Sequence, residues 1–199
     1  MEAVKRVGAA LTEAGITWAL GGSCVLIAHG LRQEAPSDWD VTVDEEPDRV
    51  RAALARIAQA DRTGSPTMGG AHDLGSSADS PVGLAITANP QTGDGFYATT
   101  ARLAIEPAID LMVRFAIRTE SGIVHLPTIV SRTWEGMPVG SPEVWAVAYR
   151  LMRRPVKPDL LSGWLRENGA DPTIKAALLA QPLPGALRAE VESWPDRRG

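Results

Sequence analysis

The 199-residue chain carries a single cysteine, Cys24, and only three histidines. One thiol cannot close an internal disulfide, which argues against a cystine-stapled scaffold and suits a reducing compartment. Cys24 reads as a small buried residue at the start of an apolar helix. His29, His72 and His125 do not form a second ligand motif, so the His72-Asp73 pair does not make a phosphohydrolase centre. An excess of one charge is missing too. Twenty basic against 24 acidic side chains leave a net charge of −4. That balance disfavours nucleic-acid binding by bulk charge and leaves room for a local basic patch. No basic-then-apolar leader pattern opens the chain. The longest apolar stretch, Ile16 to Ala28, is broken by Gly21, Gly22 and Ser23, so no segment reads as membrane-spanning. The expectation is a cytoplasmic protein. No internal repeat or low-complexity tract is evident, and an apolar fraction of 44% is ordinary for a folded chain.

Two stretches organise what is present. Ala19-Leu20-Gly21-Gly22-Ser23 ends an apolar strand in two glycines and then opens a helix, which Ser23 is placed to cap. Ser37-Asp38-Trp39-Asp40-Val41-Thr42-Val43 sets two carboxylates two residues apart on a strand. Side chains at that spacing share a face, so Asp38 and Asp40 project together and Trp39 turns away. Like charges so close call for a cation, and oxygen-only ligands suit Mg²⁺ or Mn²⁺. Backbone N–H groups at a glycine turn and helix start bind phosphate. The pair of motifs reads as a phosphate cradle beside a metal site.

With Leu20-Gly21-Gly22-Ser23, the apolar helix through His29-Gly30-Leu31-Arg32, and Ser37-Asp38-Trp39-Asp40-Val41 in view, the chain resembles the polymerase-beta-like nucleotidyltransferase superfamily. Its short toxin-like and antibiotic-modifying bacterial branches look nearest. The match covers roughly the first 130 residues. The resemblance implies an α+β fold: a mixed sheet flanked by helices, followed by a helical C-terminal part. It implies a third carboxylate on a later strand, a place that Asp110 fills in Ala108-Ile109-Asp110-Leu111-Met112-Val113. It further implies nucleotidyl transfer from an NTP to a hydroxyl or phosphate acceptor, assisted by two metal ions. Asp38, Asp40 and Asp110 would be the metal ligands, with Asp110 also a candidate base. Gly21, Gly22, Ser23 and Ser37 would bind the nucleotide. Lys157 follows the basic run Arg153-Arg154 and would reach its phosphates, as a lysine does in toxin-like members. The acceptor could be a small molecule, the 3′ end of a tRNA-like RNA, or a protein. A non-catalytic nucleotide-binding module and a toxin–antitoxin protein with a cognate antitoxin are the alternatives.

Each of these residues also has a plainer reading. Asp38 and Asp40 could be solvated strand-end charges. Asp110 could be tied to Arg102 or Arg114, since a lone carboxylate in an apolar strand needs a partner. Arg32 and Ser37 fall where the family often has polar residues, and Lys157 could belong to a solvated helix junction. The six tryptophans fit core and interface positions better than base-stacking platforms.

Helical periods place helices over residues 2–14 and from Pro47, after Glu45-Glu46. Strands are expected over 16–20, 38–43, 82–87, 100–105, 108–117 and 123–129. The segment Arg62–Ser80 reads as a loop. From Ser141-Pro142-Glu143 onward the pattern is helical, with further helices from Pro158, from Asp171 and from Leu183. The expected division is a catalytic domain over 1–135 and a helical domain over 136–199.

Overall fold

A computed structural model of the chain describes residues 1–63, 86–88, 95–105 and 108–197. The loop expected over Arg62–Ser80 lies almost wholly outside these residues, as do His72, Asp73 and the first part of the expected 82–87 strand. The fold is α+β. Among these described residues seven strands form one mixed sheet in the order β3-β4-β5-β2-β1-β9-β8, and β6 and β7 form a separate hairpin. The strands are β1 Trp18–Leu20, β2 Trp39–Val43, β3 Ile86–Ala88, β4 Ala101–Ile105, β5 Ile109–Val113, β6 Ala116–Thr119, β7 Gly122–His125, β8 Val130–Trp134 and β9 Met137–Gly140. The helices are α1 Glu2–Glu13, α2 Ser23–Ala28, α3 Pro47–Thr63, α4 Pro142–Leu151, α5 Lys157–Asn168, α6 Pro172–Leu179 and α7 Gly185–Glu192.

Register assigns the two faces of the sheet. Trp18 lies directly under α1, where a Cβ added at Gly8 would strike its indole, and its Nε1–H donates to Thr12 Oγ1 at 3.0 Å. Trp18 pairs with Val43 and Leu20 with Val41, so these side chains share the α1 face. Asp40, Thr42, Asp110 and Met112 take the opposite face, because β2 and β5 run parallel with Asp40 opposite Asp110. Arg102 joins that face through its pairing with Met112. Trp39 points away from Asp40, as the spacing predicts, and stacks on Trp134 with centroids 6.2 Å apart.

Two local expectations are corrected. Residues 108–117 are two strands rather than one: the chain turns at Arg114, which adopts a φ of 53°, so β5 stays in the main sheet and β6 leaves it. The strand expected through Ile129 stops at His125. A hairpin, β8–β9, then follows around Glu135-Gly136, both at positive φ, a turn suited to antiparallel strands. Because β9 pairs with β1, the last strand of the sheet lies beyond residue 135. The helical expectations from Ser141 onward agree with α4 to α7. Ser141 caps α4 by accepting Val144 N–H at 3.2 Å, and Asp171 caps α6 by accepting the N–H groups of Thr173 and Ile174.

Candidate active site

The site is built where β1 ends. Gly21 donates its N–H to Asp40 O at 2.8 Å, which fixes the glycine turn against the start of β2. Gly22 follows with φ 55° and ψ −136°, a conformation that favours glycine. A Cβ at Gly22 would overlap the Asp40 carboxylate, and one at Gly21 would enter the Trp145 ring. The two glycines therefore serve different needs: Gly21 lets α4 close on the turn, and Gly22 leaves room for a carboxylate. Ser23 does not cap α2. The cap position is Gly22, and Ser23 is the first helical residue. Its hydroxyl instead receives two cations: Lys157 Nζ at 3.2 Å and Arg32 Nη1 at 3.4 Å.

The three carboxylates differ in setting. Asp40 is half-buried under Gly22, and no side-chain hydrogen bond reaches it among the described residues. Burial, then the charges of Asp38 and Asp110, push its pKa up to about 7, against the pull of Lys157 and Arg102. Asp110 stands beside it on β5. One of its oxygens, Oδ2, is held by Arg102, itself nearly buried and lying over the Tyr97 ring at 4.5 Å. The other, Oδ1, is buried with no hydrogen-bond partner among the described residues. The plainer reading of Asp110 as half of an ion pair is thus present in the structure, with Arg102 and not Arg114 as the cation. Asp38 is exposed, one residue before β2, and accepts the Ser37 hydroxyl at 3.0 Å. Among the described residues no three His, Cys, Asp or Glu side chains are gathered closely enough to form a metal cluster.

Lys157 faces this group from the start of α5, 5.0 Å from the Tyr149 ring. Burial holds its pKa below the usual lysine range; Arg32 and Arg154 act in the same sense, and Asp40 and Asp38 oppose them. Tyr149 is buried with its hydroxyl unpartnered among the described residues, and burial, then Asp40, push its pKa up. Cys24 is buried as expected. Burial and the neighbouring Asp40 and Asp38 push its thiol up to about 12, so it is no nucleophile. Beside Ser23 a groove of about 560 Å³ runs between Leu26, Leu31, Arg32, Lys157 and Leu160. The arrangement is bipolar, with carboxylates on the sheet and cations from the α2–β2 loop and α5, meeting at the Gly22-Ser23 turn.

Lys157 and Arg32 meet at Ser23 although they lie far apart in sequence. Tyr149, Tyr97 and Trp145 carried no sequence signal that tied them to the site. Arg102 did, as a basic residue within reach of a carboxylate on a neighbouring strand.

No family model matches the chain, and no curated protein matches it. A solved structure from Thermotoga maritima, described as a candidate nucleotidyltransferase, matches at 18% identity and a TM-score of 0.48, covering 83% of this chain and 92% of that one. So distant a likeness carries no argument about activity, and the functional reading rests on the geometry of the site.

Proposed function

We propose that the protein is a metal-dependent nucleotidyltransferase that moves an NMP from an NTP to a hydroxyl or phosphate acceptor. The observation that carries this reading is the meeting, at one glycine turn, of Asp40 and Asp110 from adjacent strands with Lys157 and Arg32 on Ser23. Carboxylates side by side bind a divalent cation, and clustered cations bind phosphate. The residues suit Mg²⁺ or Mn²⁺: Asp110 Oδ1 is a buried acceptor without a donor among the described residues, burial and then the like charges of Asp38 and Asp110 raise the Asp40 pKa, and all donors are oxygen. Asp40 and Asp110, opposite each other on β2 and β5, would hold the metal, and Asp38 would have to swing in to complete the set, since the described residues do not gather the three; the metal would supply charge neutralisation to the phosphates. Lys157, Arg32 and Ser23 bind the phosphate chain, and Gly22 lets it approach the backbone. Arg102 orients Asp110 by holding one of its oxygens. A binding module without turnover is the second reading. It is favoured by that same contact, since Arg102 occupies an oxygen a catalytic ligand could use.

The test is calorimetric titration with ATP, GTP, CTP and UTP, with and without Mg²⁺, followed by transfer from labelled NTP. Mg²⁺-dependent binding that Asp38→Asn and Asp40→Asn weaken, together with NTP consumption, supports the enzyme. Binding without consumption favours the module. Equal affinity with and without Mg²⁺ removes the metal from the scheme.

A further inference from the structure

Lys157 reaches Ser23 because of an unusual piece of backbone. Helix α4 ends at Leu151 and α5 begins at Lys157. Within the short connection Arg153 has a φ of 53°, and Val156 has φ 66° and ψ −51°. Lys157 N–H donates to Pro155 O at 2.7 Å, closing a three-residue turn centred on Val156. This is the γ-turn of positive φ, the rare and strained form. A β-branched residue is among the worst suited to it, since its Cβ substituents crowd the backbone. The Val156 side chain does not compensate by burial, for it is 63% exposed.

The connection is fixed from both sides. Arg154 N–H donates to Tyr149 O at 3.0 Å, closing α4, and Leu160 N–H donates to Val156 O at 3.1 Å, opening α5. Arg150 and Asp159 form an ion pair at 2.9 Å that ties the end of α4 to the first turn of α5. Pro155 and Pro158 restrict the chain on either side. Strain of this kind persists only where the surroundings over-determine it, and it gathers at functional sites. Here its immediate product is the direction of Lys157, the next residue, whose amine lies between Ser23 Oγ and the Tyr149 ring.

We infer that the strained turn at Val156 is a positioning device that holds the Lys157 amine against Ser23, which makes Val156 a positioning residue for the phosphate-binding cation. The placement of the amine stands on the backbone and contacts alone; its use for phosphate rests on the function proposed above.

The experiment compares the full-length protein with Val156→Gly and Val156→Ala by thermal melting and by lysine acylation. The chain has three lysines, Lys5, Lys157 and Lys175, so a limiting amine-reactive ester read by peptide mass spectrometry reports each separately. In Val156→Gly the turn relaxes. The melting temperature is expected to rise by about 2–4 °C, and Lys157 is expected to acylate about 5-fold faster, with Lys5 and Lys175 unchanged. Val156→Ala, which keeps a Cβ at positive φ, should stay near the unmutated protein in both. A purely structural valine would instead give a lower melting temperature in Val156→Gly, and that result overturns the inference. So does a higher melting temperature with Lys157 reactivity unchanged. Inorganic tripolyphosphate added before the ester separates the two readings. Protection of Lys157 in the unmutated protein, weakened in Val156→Gly, supports both. Faster acylation in Val156→Gly with no protection by tripolyphosphate leaves the positioning inference standing and removes the phosphate subsite.

Discussion

Glu143 and Glu190 in the helical region and Asp40 and Asp110 in the sheet are all carboxylates withdrawn from water, and they are treated in opposite ways. Glu143 is buried, yet it accepts the Ser141 hydroxyl at 2.6 Å, the Asp171 N–H at 2.8 Å and Arg197 at 3.2 Å. Glu190 accepts Arg150 at 2.9 and 2.7 Å and Ser162 at 2.7 Å. Burial pushes the Glu190 pKa up, but these donors outweigh it and hold the group below its ordinary value. Asp40 has the burial without the donors, and its pKa rises. Asp110 has one cation and one orphaned oxygen. A buried acid with its donors supplied is stabilised in its charged form; one without them carries a desolvation cost that a bound cation would offset.

The largest test of that contrast is Asp110→Asn. Transfer activity is expected to fall by about 10³-fold or more, read with labelled NTP, while Mg²⁺–NTP binding largely survives through Asp40 and Asp38. The variant should also lose some stability, since the buried Arg102 gives up its carboxylate. A large loss of melting temperature with activity per folded molecule unchanged would return Asp110 to a purely structural role.

The next effect is in pH. Asp40 has its pKa raised to about 7 in the fold, against an ordinary 3.8. Between these values the folded state holds a proton that the unfolded state has released, so metal-free stability should fall as pH rises from about 4 to about 7. The loss is up to about 4 kcal/mol for this group. Chemical denaturation across that range should show the slope; Asp40→Asn should flatten it, and saturating Mg²⁺ should offset the loss at pH 8. A slope unchanged by Asp40→Asn would show that the carboxylate is not strained by its neighbours.

Glu143→Ala should behave in the opposite manner to the site variants. It removes the acceptor for Ser141, Asp171 and Arg197 at once and is expected to cost about 2–3 kcal/mol. Urea midpoints would measure this, with Mg²⁺–NTP affinity per folded molecule unchanged. The smallest effect is Lys157→Ala, expected to weaken NTP binding about 10-fold with little change in stability; Lys157→Arg should recover part of it. If Lys157→Ala destabilised the protein as much as Glu143→Ala, the amine would belong with the structural group.

Much of the sheet side of the site was legible in the sequence because strand periodicity is local. The alternation of neighbouring strand residues decides that Asp40 faces away from Trp39, and an apolar run marks β5 around Asp110. The glycine turn was legible for a similar reason, although the division of labour between Gly21 and Gly22 was not, since Trp145 comes from a distant helix. What local pattern could not supply was the meeting of Arg32 with Lys157, the γ-turn at Val156 and the break at Arg114, each set by tertiary context overriding propensity. The β8–β9 hairpin had a signal in Glu135-Gly136 between short runs, but Val130 to Thr133 are exposed and lack the alternation that marks a half-buried strand.

The insertion of β9 beside β1 has a consequence for the order in which the molecule can be made. Leu20 pairs with Val139, and Gly21 packs on Trp145, so the strand that carries the glycine turn has one flank and one wall supplied by chain more than a hundred residues downstream. During synthesis the N-terminal segment can pair β1 with β2 early, because that hairpin-like contact is short in sequence. The parallel partner and the indole arrive only when residues 137–145 have left the ribosome. Up to that moment the nascent chain holds its aspartates without the frame that aligns them, so assembly of the charge cluster waits on chain made more than a hundred residues after the glycine turn.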